Sequence, residues 1–408
     1  MGKRVGSSTM KIEDIETTVV TVPFNAPVRW SKGVVTGTTR TVIKVISDDE
    51  TIGIGETEGA SPKNVIDTQI KPILVGSSPF DIEKLLAQCS LYDRYQPFFT
   101  RNMRAFAGIE IALWDMIGKA VDKPVYDLIG GLFRDKVPFS GYWYPRYESS
   151  QVASESTPEA IAKFCEETIR AYGFTRLEGK VGIFPPNFDV KTIEAIRSAV
   201  GPEIELGVDP NAAWSPETAI KVIKKMNAYD LCNVEEPCRE LEACARVRSR
   251  IDVPVSTHCP LIAEVVRLGV ADIMVSDPYE IGGILVTKKL VGAAELHNLG
   301  FWLHSAAELG VSLAANIHIA ASSPHMIHPN QGTYEHIADD IIKGGKHRIK
   351  DGCISVPNGP GLGVQLDEAK LKQYHELYLA QGAAGFGGHS TISSNADKQL
   401  RWPSLPQY

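Results

Sequence analysis

The chain has 408 residues, more than one average core usually holds, which predicts at least two domains. Its formal net charge is -7, and this acidic balance argues against a nucleic-acid partner or an anionic membrane surface, since both require a basic face. No run approaches the roughly 20 apolar residues that a membrane span requires, so we expect a globular protein without a membrane partner.

The beginning of the chain, MGKRVGSST, carries two positive charges, but no apolar segment follows it. It therefore does not read as a secretion signal, and Met10 is nearer to the expected functional start. The seven cysteines form neither CxxC pairs nor a zinc-binding spacing. We interpret them as reduced core thiols of a cytoplasmic protein.

Residues 1–135 are predicted to form a leader and an α+β domain. The segments KIEDIETTVVTVPF and RTVIKVISDDETIGIGET are typical of strands in a small antiparallel sheet, with DDE as a turn. RNMRAFAGIEIALWDMIGKAV then has apolar residues at helical spacing. Gly130 and Gly131 can end this helical region.

From residue 136 to about 365 the pattern alternates between strand and helix, beginning with VPFSGYWY. Thr157-Pro158 and Ser215-Pro216 each place a capping hydroxyl before a proline, which predicts a helix start. Such alternation predicts parallel strands joined by crossover helices. Short strands are predicted at LEGKV, IELGVD, CNVEE, VPVSTH, IMVSD and FWLH.

These six strands end at polar residues that recur at intervals of between 19 and 29 residues: Lys180, Asp209, Glu235, His258, Asp277 and His304. With VPFSGYWY before them and a segment near 326–337 after them, eight units result, which predicts a (β/α)₈ barrel. The chemistry of such barrels lies at the carboxyl ends of the strands. We therefore expect these polar side chains to share one mouth.

Asp209, Glu235 and His258 end three successive strands. Mg²⁺ prefers oxygen ligands and often binds through one or two carboxylates, so two adjacent strands that both end in a carboxylate favour a metal site. The plainer alternative is that Asp209 caps a helix and that Glu235 belongs to a solvated Glu-Glu pair.

Lys180 lies two residues after Glu178, so both side chains point the same way in a strand. A lysine beside a divalent cation loses its proton more easily and is a usable base, although a salt bridge with Glu178 is an equal alternative. Asp277 and His304 end two further strands. A carboxylate that orients an imidazole is a recurring acid–base arrangement, whereas an isolated histidine is more often an ordinary buried residue.

Together these groups suggest one reaction. A proton next to a carboxylate becomes removable when a bound cation stabilises the resulting enediolate. Lys180 would remove this proton, and His304, held by Asp277, would protonate a departing β-hydroxyl. The sequence thus predicts an overall loss of water.

The blocks IEIALWDMIGKAVDKPVYDLIGG, VDPNAAWSPETAI, EEPC, VSDP and PGLGVQLD resemble those of the enolase superfamily, in the mandelate racemase-like group and its glucarate dehydratase-like branch. The resemblance extends from about Ile12 to Ala380. It implies a modified TIM barrel under an N-terminal α+β capping domain, with residues 366–408 forming a helix that packs on that domain and a Gly/Ser-rich tail. It also implies a cytoplasmic homo-oligomer that acts on a small carboxylate substrate. That substrate would be an acid sugar, an aldarate or aldonate, which loses water to give a 2-keto-3-deoxy acid.

The resemblance places one Mg²⁺ per subunit at the ends of the third, fourth and fifth barrel strands. Asp209 and Glu235 match the first two metal positions, and His258 occupies the third, usually Asn or Glu. Imidazole is a softer ligand, so His258 would bind through water or favour Mn²⁺, and Glu236 or Glu240 are alternative ligands.

The Lys-x-Lys motif of the family reads Glu178-Gly179-Lys180 here, which keeps the base but replaces the first lysine with an anion. The Asp277–His304 pair is retained. We predict a loop at residues 24–35 over the mouth, where Arg29 and Lys32 pair with a distal carboxylate and Trp30 excludes water. The predicted substrate-binding residues are Asn211, Glu178, Arg29, Trp30, Ser305 and Glu308.

Three other interpretations stay open on the sequence. Lys180 of a metal-free aldolase barrel would form a Schiff base, but this leaves Asp209 and Glu235 unexplained. A racemase or epimerase would use Lys180 and His304 as opposed bases. A non-catalytic relative would bind sugar acids or serve as a scaffold.

Overall fold

A computed structural model of the protein describes residues 10–90, 101–149 and 153–385. The predictions for the leader at residues 1–9 and for the tail beyond residue 385 lie outside these ranges. Within them, no helix combines the length and the apolar character that crossing a bilayer would need.

The N-terminal region contains a three-stranded antiparallel sheet in the order β1–β2–β3, formed by Ile12–Trp30, Gly33–Ser47 and Ile52–Glu58. The prediction of a loop at residues 24–35 is wrong, because Val28 pairs with Val35 and Trp30 pairs with Gly33. Phe24, Ala26 and Val28 are buried while the residues between them are only partly covered. This period of two is the signature of a strand.

Among the described residues, five α-helices accompany this sheet, with a π-helix at Ile66–Ile70 between the first two: α1 (Ser61–Val65), α2 (Lys71–Leu74), α3 (Ile82–Ser90), α4 (Arg101–Ala120) and α5 (Val125–Leu128). Helix α4 is the one predicted from its apolar spacing, and it lies directly on the sheet. A Cβ atom at Gly55 of β3 would be 1.9 Å from the carbonyl oxygen of Gly108 in α4. Glycine at this position therefore permits the close packing of helix on strand.

The second region is a parallel barrel. Each strand from β4 to β10 pairs with the next one along the chain, and β11 pairs with β4. The strands are β4 (Lys136–Trp143), β5 (Arg176–Lys180), β6 (Glu205–Asp209), β7 (Leu231–Glu235), β8 (Val255–Thr257), β9 (Ile273–Ser276), β10 (Gly300–Leu303) and β11 (Asn330–Gln331). The barrel closes between β10 and β11, where the Leu303 amide donates to Asn330 Oδ1 at 2.9 Å. The predicted eightfold strand arrangement is confirmed.

Helices surround the strands: α6 (Pro158–Tyr172), α7 (Pro186–Val200), α8 (Pro216–Met226), α9 (Leu241–Arg248), α10 (Ile262–Leu268), α11 (Pro278–Ile281), α12 (Ile284–Leu296) and α13 (Gly310–Ala321). The two predicted caps are confirmed, since the Thr157 side chain accepts from the Ala160 amide and Ser215 accepts from that of Thr218. A short hairpin of β12 (Ile349–Lys350) and β13 (Cys353–Ser355) adds antiparallel to β4.

The last described helix, α14 (Glu368–Gln381), returns to the N-terminal sheet. His375 Nδ1 lies 2.7 Å from the Val19 carbonyl oxygen of β1. The Thr21 hydroxyl donates to the Gly382 carbonyl at 3.1 Å. Both ends of the described chain therefore contribute to the α+β region above the barrel.

Candidate active site

The strand ends position the polar side chains that the sequence singled out. Strands β5, β6 and β7 end at Lys180, Asp209 and Glu235. His258, Asp277 and His304 directly follow β8, β9 and β10. Since parallel strands of a barrel run in one direction, all six residues lie at the same mouth.

Asp209 is fully buried and accepts several hydrogen bonds. Its Oδ2 atom contacts Lys180 Nζ and lies 3.1 Å from the Tyr142 hydroxyl. Asn211 donates its backbone amide to Oδ1 at 2.7 Å and its side-chain amide to Oδ2 at 2.9 Å. To fold back in this way Asn211 adopts a left-handed conformation with φ of 48°, which a short polar side chain tolerates better than most.

Glu235 and His258 form a buried ion pair, with Oε1 2.8 Å from Nε2. Burial acts to raise the pKa of Glu235, but the charge on His258 and its hydrogen bond outweigh burial and lower that pKa to about 2. Burial acts in the opposite direction on His258, and the Glu235 charge raises the pKa of the imidazole to about 10. The two groups therefore hold opposite charges at neutral pH.

Asp277 and His304 form the second predicted pair, with Oδ2 2.6 Å from Nδ1. Despite burial, which acts against charge on both groups, their mutual attraction lowers the pKa of Asp277 and raises that of His304. The His304 ring stands nearly perpendicular to that of His258, with centroids 4.3 Å apart. His304 thus sits between its carboxylate partner and the Glu235–His258 pair.

Glu178 lies in the barrel interior, where it is completely buried. Its carboxylate accepts from Arg176 at 3.2 Å and from Gln331 at 3.1 Å, and the same Gln331 amide nitrogen lies 2.6 Å from Glu235 Oε2. Burial raises the pKa of Glu178 to about 7, with the Glu235 charge adding to this effect. The contacts of Glu178 are to these interior partners, and it does not line the cavity described next.

A cavity of about 350 Å³ opens over the mouth. Its barrel side is lined by Lys180, Asn211, Glu236, His258, His304 and Ser305. The capping region contributes Trp30, Lys32, Glu58 and Arg104, and Glu280 completes the upper wall. The predicted base, Lys180, and the predicted acid, His304, therefore line the same cavity.

The remaining predicted substrate-binding residues lie at different depths. Arg29 donates to the Tyr147 hydroxyl at 3.0 Å and stacks 5.4 Å from the Phe184 ring, away from the cavity lining. Glu308 is buried below Ser305, whose hydroxyl lies 2.9 Å from Glu308 Oε2. Burial, with a contribution from the Asp277 charge, raises the pKa of Glu308 to about 7.

Two matches to known families cover most of the chain. Residues 14–130 match the family described as mandelate racemase/muconate lactonizing enzyme, N-terminal domain, and residues 160–370 match the enolase C-terminal domain-like family. The chain belongs to the enolase superfamily. Within it, the chain falls in the mandelate racemase-like group, as its sequence blocks predict.

Among curated members of the superfamily, the chain is 29% identical to the "probable glucarate dehydratase" of Streptomyces coelicolor, over 91% of this chain and 93% of the relative. It is 28% identical to the chloromuconate cycloisomerase of Pseudomonas putida, over 90% and 99%. An enolase structure from Streptomyces coelicolor aligns with a TM-score of 0.85 at 33% identity, covering 93% of this chain and all of that one. An enolase from Pseudomonas fluorescens with bound magnesium, potassium and tartrate also aligns at 0.85, with 29% identity over 92% and 94%.

The donor set of this enolase-superfamily mouth fits a hard cation. Val208 pairs with Val234, so the next residues, Asp209 and Glu235, stand side by side at the ends of β6 and β7. Asn211 Oδ1 beside them is a buried oxygen without a hydrogen-bond partner, and buried acceptors of this kind are rare unless a ligand satisfies them. Neighbouring strand ends of this mouth therefore carry three oxygen donors of the type that Mg²⁺ prefers.

His258, Glu236 and Glu240 are the residues that the sequence offers as a third metal ligand. Glu235, His258 and His304 each offer a ligand atom within 4.8 Å of the others. Glu236, the alternative ligand, accepts from the Thr257 hydroxyl at 2.6 Å and from the His258 amide at 2.7 Å, which holds the end of β8. Glu240 is exposed at the start of α9. His258 contacts Glu235 directly, with Nε2 2.8 Å from Oε1.

Sequence reasoning did not single out Tyr142, Glu58, Arg104, Glu280 or Gln331. Arg104 and Glu58 are 46 residues apart in sequence, and Arg104 and Glu280 are 176 apart. Tyr142 could have been found, because it lies near the end of the predicted strand VPFSGYWY, as does Tyr144, which lines the cavity. Glu58, Arg104 and Glu280 meet the site through contacts between the two regions. Gln331 meets it through contacts across the barrel interior. The sequence contains no local signal for either kind of contact.

Proposed function

We propose that the chain is a metal-dependent dehydratase of an acid sugar. The observation that carries the proposal is that Lys180 and His304 line one cavity from the ends of β5 and β10, while the buried carboxylates Asp209 and Glu235 end the intervening strands β6 and β7. The superfamily relatives include enzymes named as dehydratases, cycloisomerases and racemases. Because these names differ in reaction, the proposed reaction rests on the residues at this mouth.

The first step is proton removal. Bound Mg²⁺ would polarise the substrate carboxylate and make the neighbouring C–H acidic. Lys180 Nζ, placed at the cavity wall, takes this proton. Its contact with Asp209 places the amine beside a carboxylate that would hold the cation, and so beside the acidified C–H.

The second step is loss of the β-hydroxyl. His304 donates its proton to the departing oxygen, and Asp277 holds the ring through Nδ1 so that Nε2 is the donating atom. Although burial acts against charge, the Asp277 carboxylate raises the pKa of His304, which favours the protonated ring that this step needs. The products are water and an enol, which tautomerises to the 2-keto-3-deoxy acid.

Racemisation or epimerisation is the second candidate, because Lys180 and His304 belong to strands on different sides of the barrel. A relative named N-succinyl-L-Arg/Lys racemase is 26% identical over 89% of the chain. The attachment of His304 to a buried carboxylate favours the proton-donating role over the base role, and thereby favours dehydration.

The test is a screen of aldonic and aldaric acids with purified protein and Mg²⁺, scored for 2-keto-3-deoxy acid. We expect at least one acid to be dehydrated. Production of a stereoisomer without keto product would instead support the epimerase, and the absence of both products and of α-proton exchange in D₂O would exclude either reaction.

A further inference from the structure

The upper wall of the cavity is built from groups of both signs. Arg104, at the start of α4, donates through Nη1 to Glu58 Oε2 at 2.9 Å and through Nη2 to Glu280 Oε1 at 2.7 Å. Glu58 ends β3 of the capping region, whereas Glu280 lies in α11, three residues after Asp277. One guanidinium therefore joins the two regions at the cavity, where the Glu280 carboxylate lies within 4.8 Å of ligand atoms of His258 and Asp277.

The positive charge of Arg104 is balanced by these two carboxylates of the protein itself. Arg104 and Glu58 are mostly buried, with side chains 30% and 9% exposed, and Glu280 is 17% exposed. Lys32 is the other capping-region cation at the cavity, and it lies 5.3 Å from the Trp30 ring. Among the described lining residues of this wall, two cations thus face two carboxylates.

Such a wall suits hydroxyl groups better than a second carboxylate. Carboxylate oxygens of Glu58 and Glu280 accept hydrogen bonds from hydroxyls, and the unused N–H groups of Arg104 donate to them. A carboxylate in the same place would lie beside two like charges that water screens only weakly. It would also have to displace an existing ion pair from Arg104.

Resting on the proposed function, we infer that Glu58, Arg104 and Glu280 select acid sugars whose distal end is an uncharged polyol. The substrate class is then the aldonic acids, with one carboxylate at the metal site and hydroxyls along the chain. Aldaric acids, which carry a carboxylate at both ends, bind and react less well.

The experiment compares kcat/KM for acids that differ only at the distal carbon, such as gluconate with glucarate and galactonate with galactarate. We expect an aldonate to exceed its aldarate partner by at least about tenfold. Glu58→Gln removes a negative charge while keeping the size of the side chain, and should shift this ratio toward the aldarate by about tenfold. Glu83→Gln, an exposed residue paired with Lys289, is the matched control and should leave the ratio unchanged.

A preference for the aldarate in the wild-type protein, or an unchanged ratio in Glu58→Gln, would overturn the inference while leaving the dehydratase proposal intact. If no acid yields a keto product, the dehydratase proposal fails, and calorimetric binding of the same acid pairs with Mg²⁺ tests the wall alone. Tighter binding of the aldonate supports the inference, and equal or tighter binding of the aldarate contradicts it. Melting temperatures confirm that each variant is folded.

Discussion

Single substitutions can distinguish the proposed roles of Lys180 and His304. Lys180 acts on the proton next to the carboxylate and His304 acts on the β-hydroxyl, so each can be removed with a different consequence. The order of the two steps predicts which partial reaction survives in each variant.

We expect Lys180→Met to abolish both dehydration and exchange of the α-proton with D₂O, with a loss of at least about 10³-fold because general base catalysis alone contributes 10²–10⁴-fold. His304→Asn should lose dehydration by a similar factor but retain α-proton exchange, since Lys180 remains. NMR of the substrate in D₂O measures exchange and elimination together. Retained dehydration in His304→Asn would remove the imidazole from the mechanism.

Asp189 gives a residue-scale prediction about pH. It is 3% exposed in α7, accepts from the Gly182 amide at 2.9 Å, and burial raises its pKa to about 8. Because the folded pKa lies above the unfolded value, the protonated form stabilises the fold fully below about pH 4, and this contribution is lost as the pH rises through 8.

Asp189→Asn should therefore be close to the wild type in free energy of unfolding at pH 5 but more stable by about 1 kcal/mol or more at pH 9. Urea unfolding at the two pH values measures the difference. Asp252→Asn, at an exposed position, is the control for a generic charge effect. Parallel pH profiles of the wild type and Asp189→Asn would contradict the prediction.

At the scale of elements, α4 of the capping region is fastened to the barrel helix α12 by one buried carboxylate. Glu110 accepts from the Ile284 amide at 2.7 Å, from the Leu285 amide at 2.9 Å and from Trp114 Nε1 at 2.7 Å. The backbone of Gly283 approaches so closely that a Cβ there would lie 2.2 Å from Glu110 Oε2. Glu110 thus satisfies the first amides of α12 from another region of the chain.

Glu110→Ala should destabilise the fold by roughly 2–4 kcal/mol, because it leaves buried amides unsatisfied and opens a cavity. Glu83→Ala is a well-matched control, since the exposed Glu83–Lys289 pair at 2.6 Å also joins the capping region to α12 and such surface pairs contribute at most about 1 kcal/mol. Denaturant unfolding compares the two. Equal losses of unfolding free energy in the two variants would show that the burial of Glu110 does not account for its contribution to stability.

At the scale of the whole molecule, the sequence predicted what depends on local pattern and missed what depends on long-range contact. Thr157 and Ser215 mark helix starts through neighbouring residues, and Lys180, Asp209 and Glu235 mark strand ends in the same way. The strand at residues 24–30 was missed because its alternation of buried and partly covered residues includes Pro27 and Asn25, which usually signal loops. Arg104 reaches the site only through the folded arrangement of both regions, and Gln331 of β11 reaches it only through contacts across the barrel interior.

Metal binding should also raise the free energy of unfolding of the whole protein. Asp209 and Glu235 are buried carboxylates that Lys180 and His258 now neutralise, and a cation held at the mouth would bind the folded state alone. Mg²⁺ at a hundredfold excess over its Kd should therefore raise the free energy of unfolding by about 2.7 kcal/mol, and EDTA should reverse this gain together with any activity.

Asp209→Asn should abolish most of the Mg²⁺-dependent stabilisation, because it removes a charged oxygen ligand from the centre of the donor set. Asp81→Asn, an exposed carboxylate near Lys84, should keep the full effect. Thermal melts with and without Mg²⁺, alongside calorimetric titration, give the shift and the affinity. Equal stabilisation of the wild type and Asp209→Asn would place the cation elsewhere and would separate Lys180 from any metal-assisted proton removal.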